Sequence, residues 1–266
     1  MEKGRDLLGR KPGRVTPPFE NPRRVGQPAS NLSHTTDMKV PQIQACVYCG
    51  STTEITRDHI PPQNLFNKPR PNNLITVPAC IECNKGFEVD DEYFWLTLAS
   101  RAEAAENPDA LPASLRAIKH LSRPEAMKFR SAFLKTLQAV ELVTPSGLFL
   151  RRGLAYGVSF VRLNRVAARI TRGLYCFERN ALMALGYVAT ARALDGFPVD
   201  ALKALQPFLA FARSAPRHSV GRVFSYNFAP LSDDSNSALV LFTVYEATNF
   251  LGMVLKHCDA AETEYI

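Results

Sequence analysis

Four cysteines come as two pairs, Cys46/Cys49 and Cys80/Cys83, each pair with two residues between its members. Asp58 and His59 lie side by side between the pairs, Asn73 follows, and Asn84 stands directly after the last cysteine. A Cys-x-x-Cys turn aims both thiolates at one spot, and two such turns supply the four sulfurs that tetrahedral zinc prefers. The other readings are a disulfide, a redox dithiol, or a zinc ribbon without chemistry; two spaced pairs favour zinc. Four thiolates leave no open coordination position, so that zinc would be structural. Asp, His and Asn, by contrast, are the residue types that hydrolytic metal chemistry uses.

The stretch CVYCGSTTEITRDHIPPQNLFNKPRPNNLITVPACIECN resembles the zinc-knuckle form of the HNH (ββα-metal) endonuclease family. The matching residues are Cys46, Cys49, Asp58, His59, Ile60, Pro61, Asn73, Leu74, Cys80, Cys83 and Asn84, a small part of 266 residues. Two departures stand out. The loop after His59 carries prolines and basic residues where many members have a Gly-rich turn. Asn73 lies two residues further from the second knuckle than is common, so Asn72 or Asn73 could fill the central role. The resemblance implies phosphodiester hydrolysis in DNA, with RNA left open. It implies His59 as the general base, suited to that task near neutral pH. Asp58 and Asn84 would hold one divalent cation, Mg²⁺ by preference for hard oxygen ligands. Asn73 would pin the loop and orient His59.

These residues need elements to position them. Glu54 to His59 reads as a short strand stopped by Pro61-Pro62, since proline donates no ladder hydrogen bond. Asn73 to Val77 is β-branched and apolar, and reads as its antiparallel partner. A helix is expected from Cys83-Asn84 or slightly later, with Asp90-Asp91-Glu92 favouring the positive end of its dipole. Asn84 has a second reading as that helix's N-cap. Arg57, Lys68, Arg70 and Lys85 are either phosphate contacts or solvated charges.

Beyond Phe87 the pattern turns helical. Glu92 to Glu106 carries a leucine and aromatic stripe that reads as core, with Trp95 in it. Leu115 to Val143 reads as further helix, interrupted near Ser122-Arg123-Pro124. Val158 to Leu174 is amphipathic, ending near Gly173: Arg162, Arg165, Arg169 and Arg172 share one face, opposite Leu163, Val166, Ile170 and Leu174. Arginine's fork of donors suits phosphate, so this stripe is the expected nucleic-acid surface; pairing with acids elsewhere in the chain is the competing reading. Ala181 to Leu194 and Val199 to Arg213 read as two more helices. Gly221 to Phe228 and Ala238 to Tyr245 read as strands, and the tail from Ala247 as strand or short helix.

The expected fold class is therefore α+β: a ββα-metal unit with a four-cysteine zinc site over 41–95, then a helical and mixed α+β domain of unassigned role over 96–266. Residues 1–40, rich in Lys, Arg, Pro and Gly, read as a disordered tail, either a basic arm or an extension upstream of a start at Met38. The net charge of +7 and pI near 9.2 suit a polyanionic partner. Cys176 and Cys258 are read as packing residues in a reducing compartment. No segment reaches the length of a membrane span, and a cytoplasmic protein is expected. A homodimer or a partner protein on the C-terminal half stays open. So do two functions without cleavage: a zinc-stabilised nucleic-acid-binding protein, and an interaction module.

Overall fold

The computed structural model describes residues 43–257 apart from Pro145; the basic segment 1–40, Met38 and Cys258 lie outside the described residues. Strand β1 (Ile55–Ile60) pairs antiparallel with β2 (Ile75–Cys80), and helix α1 (Ile81–Lys85) follows at once. Helix α2 (Glu88–Ala99), α3 (Ala110–Leu121) and α4 (Met127–Leu134) lead to a second two-stranded ribbon, β3 (Leu137–Val143) with β4 (Phe149–Tyr156). Helix α5 (Phe160–Arg179) comes next, then β5 (Tyr187–Ala193) and α6 (Val199–Ser214). Strands β6 (Arg217–Val220), β7 (Phe224–Pro230), β8 (Ala238–Val244) and β9 (Thr248–Lys256) complete an antiparallel sheet in the order β5-β9-β8-β7-β6. The fold is mixed α+β.

The sheet is covered on both faces. Along β8, Ala238, Val240, Phe242 and Val244 face one apolar cluster, while Leu239 and Leu241 face the other, with Leu209 and Ala212 of α6. A strand buried on both faces has no reason to alternate apolar with polar, which is why ALVLFTV reads as a continuous apolar run. Helix α5 fills the first face. Its Leu163, Val166, Ile170 and Leu174 are all 2% exposed or less. Burying such side chains stabilises by about 1.5–3 kcal/mol each.

That helix is wedged between the sheet and the cysteine-bearing unit. A Cβ added at Gly252 of β9 would lie 2.1 Å from Thr171 Oγ1, and one added at Gly173 would lie 2.6 Å from Ile60 Cγ1. Both glycines permit close approach, one for helix on sheet and the other for helix on strand. The helix runs through Gly173 and stops at Asn180, whose left-handed conformation (φ 48°) ends it. One apolar cluster includes Val47, Ile60 and Phe66 together with Val166, Phe224 and Val254, so the packing joins segments on both sides of residue 95.

Two segments expected as helix are strands. Leu137–Val143 pairs with β4, and Tyr187–Ala193 is an edge strand along β9. Helix α2 begins at Glu88, just before the Asp90-Asp91 pair, and ends at Ala99, short of the expected Glu106. Its residues from Tyr93 to Ala99 are all buried, which makes Trp95 a core residue. Among the described residues no helix is long and apolar enough to cross a membrane.

Candidate metal centre and the buried charge cluster beside it

The four cysteines come together. Cys46 and Cys49 sit in the turn before β1, Cys80 ends β2, and Cys83 lies in α1. Their sulfurs all lie within 4.8 Å of one another, and Cys49 and Cys80 are 3.7 Å apart. Four sulfurs about 2.3 Å from a tetrahedral zinc would be spaced by about 3.8 Å, so the donor set fits zinc in chemistry and in size. Burial opposes ionisation of the Cys46 thiol, but hydrogen bonds from the backbone at Cys80 and Cys49 bring it down to about 7. Burial and the neighbouring thiols push Cys83 up. A cation at their centre would favour the thiolate form and release the thiol protons.

The local sequence explains the clamp. Cys80 N-caps α1, its sulfur accepting from the Cys83 amide at 3.4 Å, and the Cys46 and Val47 amides bond Ser51 and Pro78 carbonyls. Asn84 is inside α1 and caps neither α1 nor α2, whose N-caps are Cys80 and Phe87. Its amide nitrogen donates to Thr56 Oγ1 at 3.1 Å and to the Arg57 carbonyl at 3.5 Å. Strand pleating puts Thr56 and Asp58 on one face of β1, so Asn84 docks on the face that carries Asp58. Its amide oxygen makes no hydrogen bond among the described residues.

Asp58 itself is 5% exposed and heavily engaged. Arg169 of α5 meets it through two nitrogens, Nη2 to Oδ1 at 2.5 Å and Nε to Oδ2 at 3.1 Å. Tyr48 donates its hydroxyl to Oδ2 at 2.5 Å. Three donors use most of a carboxylate's roughly four lone-pair sites, and the site remaining is on Oδ1. Arg169 also holds both oxygens of Asp91 at 2.8 and 3.0 Å, and its guanidinium lies 4.4 Å from the Phe87 ring centre. Burial pushes Asp91 up to about 6, against the pull of Arg169. Burial and the Asp58 charge raise the Tyr48 hydroxyl well above its ordinary value. Tyr48, Asp91 and Arg169 thus form a cluster with Asp58; pairing of the arginine stripe with distant acids is the competing reading of the sequence, while Tyr48 carries no signal there.

His59 points to the other face of β1 and is partly exposed. Burial lowers its pKa below 6.5, and Arg70 adds to that while Asp58 opposes it. The imidazole makes no hydrogen bond among the described residues. Asn72 and Asn73 are both exposed in the turn before β2, and Asn73 makes no hydrogen bond there to His59 or its loop. What does anchor that loop is Arg116, which donates to the Asn64 and Phe66 carbonyls at 3.1 Å, and Tyr245, which donates to the Leu65 carbonyl at 2.7 Å. Asp58 and the Thr56 hydroxyl that receives Asn84 therefore fall on one face of β1, and His59 and Asn73 do not join them.

The arginine stripe is real as a helical face but is not an open surface. Arg162 pairs with Asp90 at 2.8 Å and covers the Tyr93 ring, and Arg165 pairs with Asp90 at 3.2 Å. Arg169 is the most buried of the four, and Arg172 donates to the Val47 carbonyl at 2.7 Å. These contacts are the pairing that the sequence left as its competing reading: acids at the start of α2, unseen from the helix alone, meet this face. Arg165, with 62% of its side chain exposed, keeps the most access to solvent. No family model matches the chain, and comparison with curated proteins and with solved structures finds no match.

Proposed function

We propose that this chain is a metal-dependent endonuclease of the HNH type acting on DNA, built on a zinc-clamped β1–β2–α1 unit. The observation that carries the reading is the docking of Asn84 on the Asp58 face of β1, directly after a four-thiolate cluster of zinc dimensions. Zinc held by Cys46, Cys49, Cys80 and Cys83 would fix the join between β2 and α1, and so the distance from Asn84 to β1. Asp58 Oδ1 and the Asn84 amide oxygen would hold a divalent cation such as Mg²⁺, which stabilises negative charge on the phosphate and the leaving oxygen. His59 takes the proton of the attacking water. Its lowered pKa keeps the imidazole neutral, the form a base needs, at neutral pH. Arg169 and Tyr48 fix the carboxylate of Asp58 in one orientation, acting as positioning residues.

A second reading has an observation of its own. Asp58 is buried under Arg169 and Tyr48, and a zinc-stabilised DNA-binding protein without cleavage would use that cluster only to hold its fold. Plasmid cleavage with and without Mg²⁺ or Mn²⁺, alongside His59→Ala, separates the two. Cutting that needs the cation and vanishes in a folded, zinc-loaded His59→Ala variant supports the nuclease. Plasmid binding without cutting at any cation concentration supports the second reading.

A further inference from the structure

The β3–β4 ribbon belongs to neither the zinc-clamped unit nor the five-stranded sheet, and it is open to solvent along most of its length. Leu148, Phe149 and Leu150 at its tip are 67%, 52% and 60% exposed, and Leu154 lower down is 72% exposed. Arg151 and Arg152 are consecutive in β4 and so stand on opposite faces, both exposed. The single acid near them, Glu141, lies 3.8 Å from Arg152 with both side chains mostly in solvent, a contact of little energetic weight. The surroundings have the same sign. Residues 121–156 hold six Lys or Arg against two Glu, a surplus of four in a chain whose whole surplus is seven. Arg123, Lys128 and Lys135 are exposed on the segment that leads into the ribbon.

We propose that this ribbon is an arm that grips double-stranded DNA, with Arg151 and Arg152 against phosphates and the Leu148–Leu150 tip set into a groove. The inference rests on the reading of DNA as substrate and gives that substrate a docking surface outside the zinc-clamped unit. A two-stranded ribbon fits a major groove about 12 Å wide, where apolar side chains can meet thymine methyl groups. Eight residues of β4 reach about 26 Å at about 3.3 Å each, several base pairs along a duplex. Self-association through the same apolar tip is disfavoured, because it would bring two patches of like charge together. The ribbon's base is fixed: Tyr156 donates to the Thr97 carbonyl at 2.6 Å and packs on Phe133, 5.5 Å between ring centres. The arm is thereby tied to α2, the helix whose Asp91 holds Arg169.

The test is fluorescence anisotropy of a labelled duplex, without added divalent cation, across a salt series. Wild type is compared with Arg151→Gln/Arg152→Gln and with Leu148→Ser/Phe149→Ser, all sites being exposed and each variant checked for zinc content and melting temperature. The arginine variant is expected to bind at least about tenfold more weakly and to lose about two from the salt slope, one per phosphate contact. The tip variant is expected to weaken duplex binding with the slope unchanged. Wild-type affinity and slope in both variants would overturn the arm. So would a tip variant that binds DNA normally but turns a sedimenting dimer into a monomer, or an arm that prefers single strands or RNA over duplex. Duplex binding through the arm by a protein that never cuts plasmid leaves the arm standing and removes the nuclease.

Discussion

The molecule contains two two-stranded antiparallel sheets of similar length with opposite fates. The β1–β2 pair is buried against α2 and α5, and a four-thiolate cluster closes it at one end. The β3–β4 pair has no cross-link, and its apolar side chains look outward. A lone two-stranded sheet is at best marginally stable in water, so each must be held by something else. In β1–β2 the restraint comes from the four-cysteine cluster, where a metal could bind, and from the helix that meets Ile60 at Gly173. In β3–β4 it comes only at the base, through Tyr156 and Phe133. The clamped pair holds its side chains in fixed, buried contacts, whereas the open pair leaves most of its side chains to solvent.

The largest expected break in that comparison is the loss of the clamp. Cys80→Ala, or chelation of zinc, should cost several kcal/mol, on the order of what structural zinc contributes to small domains. Thermal melts with metal analysis check this, and an unchanged melting temperature in zinc-free protein would remove the clamp's role. Next comes Arg169→Met, which strands two buried acids and should cost about 3–5 kcal/mol. Adding Asp91→Asn should return part of that loss in denaturant melts, because one stranded charge is then gone. On the open ribbon, Tyr156→Phe should cost about 1 kcal/mol for its single hydrogen bond, and Leu154→Ser less than about 0.5 kcal/mol. A ribbon substitution that destabilised as much as Arg169→Met would erase the distinction between the two sheets.

The pH dependence sharpens the same contrast at the site. His59 has its folded-state pKa below 6.5, so it binds fewer protons folded than unfolded, and acidification costs stability as pH falls from about 6.5 through the folded value. Cleavage should fall over the same window, because a protonated imidazole accepts no proton. A rate-against-pH profile with its acidic midpoint above 6.5 would exclude His59 as the base.

Sequence made some of this legible and hid the rest for physical reasons. The cysteine spacing pointed to the four-cysteine cluster because ligand geometry is local to two turns. Strands β1 and β2 were readable from β-branched residues bounded by proline and asparagine, and β8 from its apolar run. Leu137–Val143 was hidden because LQAVELV holds good helix formers and no breaker, and only its pairing with β4 makes it a strand. YVATARA of β5 was hidden similarly: its alanines and arginine suit a helix, and β9 decides otherwise. Helical periodicity found the arginine face of α5, but its partners, Asp58, Asp90 and Asp91, lie far away in sequence and meet it only through packing.

Tyr245 carries a consequence for how this protein could be divided. It sits in the turn between β8 and β9 with φ 52°, next to Glu246 at φ 57°, a conformation that bulky side chains seldom adopt. Glu246 is held there by Arg222 and Asn107, and the Tyr245 hydroxyl reaches back to the loop that follows His59. The cysteine-bounded stretch ends at Asn84, yet part of the floor under its loop is laid more than a hundred and fifty residues later. The segment is therefore not a portable cassette. A transplant of 43–99 into another scaffold would carry every residue of the motif but lose the Arg116 and Tyr245 hydrogen bonds to its loop, so chimeras of this chain must keep the C-terminal sheet intact.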